Sequence, residues 1–139
     1  MSTLYLKGIE QAWLGNIALE SDTIKLKYMA PAYTPDVSTE NFLSDVSASE
    51  ASGAPTETLA NVDVRIDTAN SRVEIDADNV SEATVTTSTD KFIIYKDTGV
   101  EATSPLIACI DIAEGTLNPV AGTLSISFNA EGIFAINAA

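Results

Sequence analysis

The chain has 139 residues, 20 of them acidic and 7 basic, with no histidine, for a net charge of −13 at neutral pH. That length fits one domain with a core of its own, and that charge excludes binding to a phosphate backbone, which depends on clustered Lys and Arg. The missing histidine removes Ser-His-Asp and Cys-His nucleophilic chemistry and every His-ligated metal site at once.

Hydrophobic residues make up 45% of the sequence, too many for a disordered chain. No apolar run approaches the roughly 20 residues of a membrane span. The N-terminus, MSTLYLKGIE, has no basic start followed by an apolar stretch, so neither a membrane segment nor a secretion signal is expected. The single cysteine, Cys109, cannot form an internal disulfide, which fits a reducing cytoplasm.

In chain order, residues 1–6 read as an arm ahead of the best helix candidate. KGIEQAWLGNIAL (7–19) puts Ile9, Ala12, Trp13 and Ile17 on one apolar stripe, expected to dock on a sheet, with Gly8 and Gly15 as weak points. TIKLKYMA (23–30) alternates as a half-exposed strand: Ile24, Leu26 and Tyr28 inward, Lys25 and Lys27 outward. STENFLSDV offers Ser38 or Thr39 as an N-cap and a short helix with Phe42, Leu43 and Val46 on one side. SASEASGAPT (47–56) has no periodicity and reads as a flexible surface loop.

VDVRIDTANSRVEIDAD (62–78) is the clearest hairpin. Turning at Ala69 and Asn70, it pairs Asp67 with Arg72, Ile66 with Val73, Arg65 with Glu74 and Val64 with Ile75. The apolar residues then share one face and the Arg–acid pairs the other. A Thr-rich strand follows around Ala83 to Thr87. The strands of KFIIYKDTGVEATSPLIACIDI (91–112) are apolar on both faces, Phe92 and Ile94 opposing Ile93 and Tyr95, so something must cover each side. GTLSISFNAEGIFAIN (122–137) reads as a closing hairpin whose last strand turns Phe134 and Ile136 outward. Strands this short and this many predict an all-β chain: an antiparallel β-sandwich, jelly-roll-like, in one domain over 1–139, with the N-terminal α-helix and one further short helix. The helix can cover one outer face of the 91–112 strands, and the surplus apolar surface calls for a partner.

Catalytic and metal-binding chemistry is not expected. Cys109 sits in an apolar strand and reads as an inert buried thiol. No phosphate-binding glycine loop occurs. DADN (76–79) resembles the opening of a calcium loop but has Ser81 where the glycine belongs, and an acidic turn accounts for it. Carboxylate pairs for glycoside hydrolysis are too unspecific in so acidic a chain to carry a reading.

The order KGIEQAWLGNI, TIKLKYMAPAYTPD, TENFLSDVSA, FIIYKDTG, SPLIACIDI and LSISFNAEGIFAI resembles small structural proteins of tailed bacteriophages, over nearly the whole chain. The likeness is weak in the middle, where this chain has GAPTETLA. It implies a head decoration (cement) protein, made in the host cytoplasm and placed on the outer surface of the phage head. There it would bind the major capsid protein as a symmetric homo-oligomer, trimer before dimer, with no enzyme activity, cofactor, nucleic acid or membrane. The expected contacts are Leu4, Tyr5 and Leu6 of the arm and the outward Phe134 and Ile136. The competing expectation is a phage tail protein or a receptor- or carbohydrate-binding module, for which Tyr5, Tyr28, Tyr33, Tyr95 and Trp13 would stack on sugar rings.

Overall fold

The computed structural model describes residues 2–138. In chain order it runs β1 (Ser2–Leu4), α1 (Leu6–Trp13), β2 (Ile24–Met29), α2 (Leu43–Val46), β3 (Thr56–Thr58), β4 (Asp63–Asp67) and β5 (Arg72–Asp76). The second half holds β6 (Val80–Val85), β7 (Lys91–Lys96), β8 (Leu106–Asp111), β9 (Gly122–Ile126) and β10 (Phe134–Asn137). The strands form a five-stranded sheet, β1-β8-β7-β2-β3, a three-stranded sheet, β10-β5-β4, and a two-stranded sheet, β6-β9. Every pairing is antiparallel. The class is the expected one: all-β and sandwich-like, with an N-terminal helix and one short further helix.

Both faces of β7 and β8 are apolar because each is covered by another layer of the chain. Phe92, Ile94, Ala108 and Ile110 join Ile24, Leu26 and Tyr28 against Ile75, Val80, Leu124, Ile126 and Phe134 of the two small sheets, forming the main core. The other face, Ile93, Tyr95, Leu106 and Cys109, is covered by Tyr5, Tyr33, Leu43 and Val46. The chain supplies this second cover itself, from residues 30–46 and the start of α1. That corrects the expectation that the N-terminal helix, through Trp13, covers this face. Strict alternation in β8 also fails: Ile94 pairs with Ala108 and Tyr95 with Leu106, so Ile107 is a bulge residue and joins Ala108 in the main core.

α1 is shorter than its apolar pattern and docks on a different face. It stops because Gly15 takes φ +78° and closes a Schellman motif, Asn16 N–H to Gln11 O at 2.8 Å and Gly15 N–H to Ala12 O at 3.1 Å. The residue buried against β8 is Gly8, not Trp13. Trp13 is 87% exposed, so its expected place in the core is corrected: backbone proximity at a residue without a side chain sets the docking face. Ile17, beyond the helix, does enter the core.

Three further expectations change. Residues 47–56 are not a free loop: Ala30 N–H bonds to Ser49 O, Ala51 N–H to Tyr28 O, and Thr87 Oγ1 donates to Ser52 O before the chain enters β3. The segment 122–137 is not a hairpin, because β9 pairs with β6 and β10 with β5. The arm is not loose, since β1 pairs with β8 and Tyr5 N–H bonds to Ile107 O.

Candidate interaction face

The β4–β5 hairpin has the register that its sequence predicts, Val64 opposite Ile75, Arg65 opposite Glu74, Ile66 opposite Val73 and Asp67 opposite Arg72. β10 extends it, with Phe134 beside Ile75 and Ile136 beside Val73. Because directly opposed residues share a face, three strands contribute two apolar rows: Val64-Ile75-Phe134 and Ile66-Val73-Ile136.

The two rows have different fates. Ile75 and Phe134 are buried in the main core. The second row overhangs it, with Ile66 77%, Val73 37% and Ile136 48% exposed. The hairpin is longer than the layer it packs on, and its tip carries the core pattern into solvent.

The opposite face of the same sheet is held by ions. The buried Glu74 carboxylate accepts from Arg65 Nε at 2.8 Å and from Arg72 Nη2 at 2.7 Å. Arg65 also reaches Asp76 and the carbonyl of Ala130, and Arg72 reaches Asp67. Removing either arginine would leave a buried carboxylate short of a partner. This brace occupies the face opposite the overhanging apolar row.

Between this sheet and α1 lies a small groove of about 70 Å³, lined by apolar residues that include Leu4, Gly8, Ile9, Ala12, Phe134 and Ile136. Leu6 and Trp13 lie three before and four after Ile9, on its helical stripe, and both are largely exposed. Ile136 lines both the overhanging row and this groove, which Ile9 and Ala12 of α1 also line, so the row continues into the groove on a strongly acidic molecule.

The five expected contact residues divide. Leu6 and Ile136 are exposed, and Leu4 lines the groove, partly buried. Tyr5 is wholly buried, its hydroxyl bonded to that of Tyr33, which in turn donates to Glu40 Oε2 at 2.7 Å. Phe134 is 6% exposed and belongs to the core. These two are corrected: Tyr5 enters the second cover, and pairing with β5 in place of β9 turns Phe134 inward. Ile66 and Val73 were not anticipated, and Trp13, expected in the core or as a sugar-stacking residue, is exposed. The signal for the first two was present, since the apolar run of β4 reaches the hairpin tip, where a strand usually turns polar.

The residues with chemical potential that the sequence singled out are engaged within the fold. Burial pushes the Cys109 thiol up to about 12, with the charge of Asp111 adding to it. Asp76 is engaged with Arg65, and Asp78 accepts from Asn61, so both acids of DADN have protein partners. Among the described residues no group of three His, Cys, Asp or Glu is placed to hold a metal ion, and no helix is long and apolar enough to cross a membrane. Comparison with protein-family models, curated proteins and solved structures gives no match.

Proposed function

We propose that the chain is a structural protein of a tailed-phage virion that binds the outside of the head as a homo-oligomer and stabilises the major capsid protein lattice. Its sequence resemblance supplies the class, and one structural observation supports the mode of action: the exposed apolar row Ile66, Val73 and Ile136, which runs through Ile136 into the groove beside α1. Contiguous apolar surface on an otherwise charged molecule marks a protein contact. On a lattice, each such contact is repeated by symmetry, so individually modest interfaces add through multivalency. The net charge of −13 suits the outside of a shell filled with DNA, where a basic protein would be drawn to the genome.

A sugar-binding or receptor-binding module on the tail is the weaker reading. Tyr5, Tyr28, Tyr33 and Tyr95 are all buried, which leaves Trp13 of the stacking candidates.

The test is to add purified protein to empty heads that lack it, sediment them, and image them by electron cryomicroscopy. Regular added density on the outer surface is the expected result. Density on the inner wall or the tail, or glycan binding without head binding, would overturn the proposal.

A further inference from the structure

We infer that β4 pairs edge to edge with β4 of a second copy, about a two-fold axis at Ile66. This specifies the self-contact of the homo-oligomer proposed above as two-fold, a dimer in place of the trimer that the resemblance favours, and rests on that part of the reading, not on the capsid. β4 is the outer strand of its sheet. Along an outer antiparallel strand the N–H and C=O groups turn alternately toward the neighbour and toward open space. Val64 is turned outward, since its N–H donates to Glu20 Oε1 at 3.0 Å. Two residues on, Ile66 is turned outward by the same alternation. An unpaired edge of this kind is a template for another strand.

Charge selects the partner and the register. When a strand pairs with its own copy about residue k, residue k−1 faces residue k+1 of the second copy. An axis at Arg65 sets Arg65 against Arg65 and Asp63 against Asp67, both repulsive. An axis at Val64 pairs opposite charges, but Glu20 already holds that N–H and the 18–21 segment flanks Val64. An axis at Ile66 places Arg65 against Asp67 of the second copy, and Asp67 against its Arg65, with the Ile66 backbone groups free to exchange two hydrogen bonds. On the other face it joins Ile136-Val73-Ile66 to the same three residues of the second copy, one apolar row across six strands. The strand complements itself at that register, which makes a second copy its occupant. Glu20 keeps the contact short, so the dimer is weak in solution and gains from a lattice.

Ile66→Cys tests the axis directly. A hydrogen-bonded antiparallel pair sets its Cα atoms about 5.5 Å apart, within disulfide range, and the native Cys109 is buried and does not compete. Mild oxidation should give a covalent dimer on a non-reducing gel, while Val73→Cys, three strand spacings or about 14 Å from its counterpart, should stay largely uncrosslinked. Ile66→Asp and Ile66→Lys, at an exposed position outside the ionic brace, should each weaken self-association about tenfold, and an equimolar mixture of the two should restore it, because across this axis residue 66 meets residue 66 of the second copy. Equal crosslinking of both cysteine variants, no rescue on mixing, or a wild-type chain that sediments as a monomer at high concentration would overturn the inference. Head decoration by a variant that no longer self-associates would leave the capsid reading standing and remove this one.

Discussion

The backbones of Gly8 and Leu106 approach so closely that a β-carbon on residue 8 would stand 2.6 Å from the Leu106 carbonyl oxygen and 2.8 Å from Ile107 Cα. Both obstacles are main chain of a central strand and cannot swing aside. Gly8→Ala gains about 1 kcal/mol of helix propensity but forces overpacking that costs about 1–3 kcal/mol. With rigid backbone on the far side the loss wins, and urea titration should show net destabilisation with α1 displaced. A more stable Gly8→Ala protein would mean that α1 is not seated there.

Trp13→Ala should leave the fold almost untouched, within about 0.5 kcal/mol, as for an ordinary surface site. A core tryptophan would cost about 3–5 kcal/mol. Because it is the chain's one tryptophan, its native fluorescence should already resemble that of the unfolded chain. Head binding, not the denaturation midpoint, is where its removal should register.

Phe134 and Ile136 sit two residues apart on one face and should behave oppositely. Phe134→Ala empties a core position and should cost about 3–5 kcal/mol. Ile136→Asp should barely move the midpoint but weaken binding to empty heads, measured by co-sedimentation. If Phe134→Ala folds normally, the inward position of that ring is wrong.

The hairpin was legible because two patterns agreed on one register: the apolar residues and the Arg–acid pairs of 62–78 allow no other alignment without crossing faces. The cover over Tyr95, Leu106 and Cys109 was not legible. Leu43 and Val46 were legible as the apolar side of a short helix, but Tyr33 comes from a turn-rich stretch with no period, and nothing local says which sheet face that helix covers. β9 and β10 misled for a related reason. Their spacing suits a tight turn, but the chain makes a small Asn129–Gly132 bridge there and passes from one sheet to another. Alternation tells which face a residue shares and says nothing of which strand lies beside it. For α1, the stripe through Trp13 was real, and the close approach at Gly8 decided which side faced in.

The Cys109 thiol, raised to about 12 by burial, should be inert in the native protein at neutral pH, where thiolate is the reactive form. A disulfide reagent should label it only as the chain unfolds, at a rate that falls when the fold is stabilised. Rapid labelling of the native chain would show that the cover formed by Tyr5 and Tyr33 opens locally.

Acid should act on this fold in two opposite ways. Asp45 accepts the N–H groups of Asn41 at 2.8 Å and Phe42 at 2.9 Å, closing the start of α2, and these bonds hold its carboxyl below the usual range. Asp22 is lowered likewise by the Ala18 N–H and by Lys96. A carboxyl depressed in the folded state stabilises it at pH above the ordinary aspartate value of about 3.9, and that contribution disappears as pH falls through this value toward the folded one. Glu57 is shifted the other way, raised by burial and by the charge of Glu82. Its contribution is present at low pH and is lost as pH rises through its raised value. Lowering pH from 7 to about 5 should therefore hold or raise the melting temperature, helped by partial relief of the −13 charge. Below about pH 4 the aspartates dominate and stability should fall. Asp45→Ala, which removes a helix-capping carboxylate, should cost about 1 kcal/mol at pH 7. Much of that difference should vanish near pH 3, where the wild-type carboxylate is itself being protonated. Melting curves for the two proteins that stay equally far apart at both pH values would show that the Asp45 charge does not hold the α2 start.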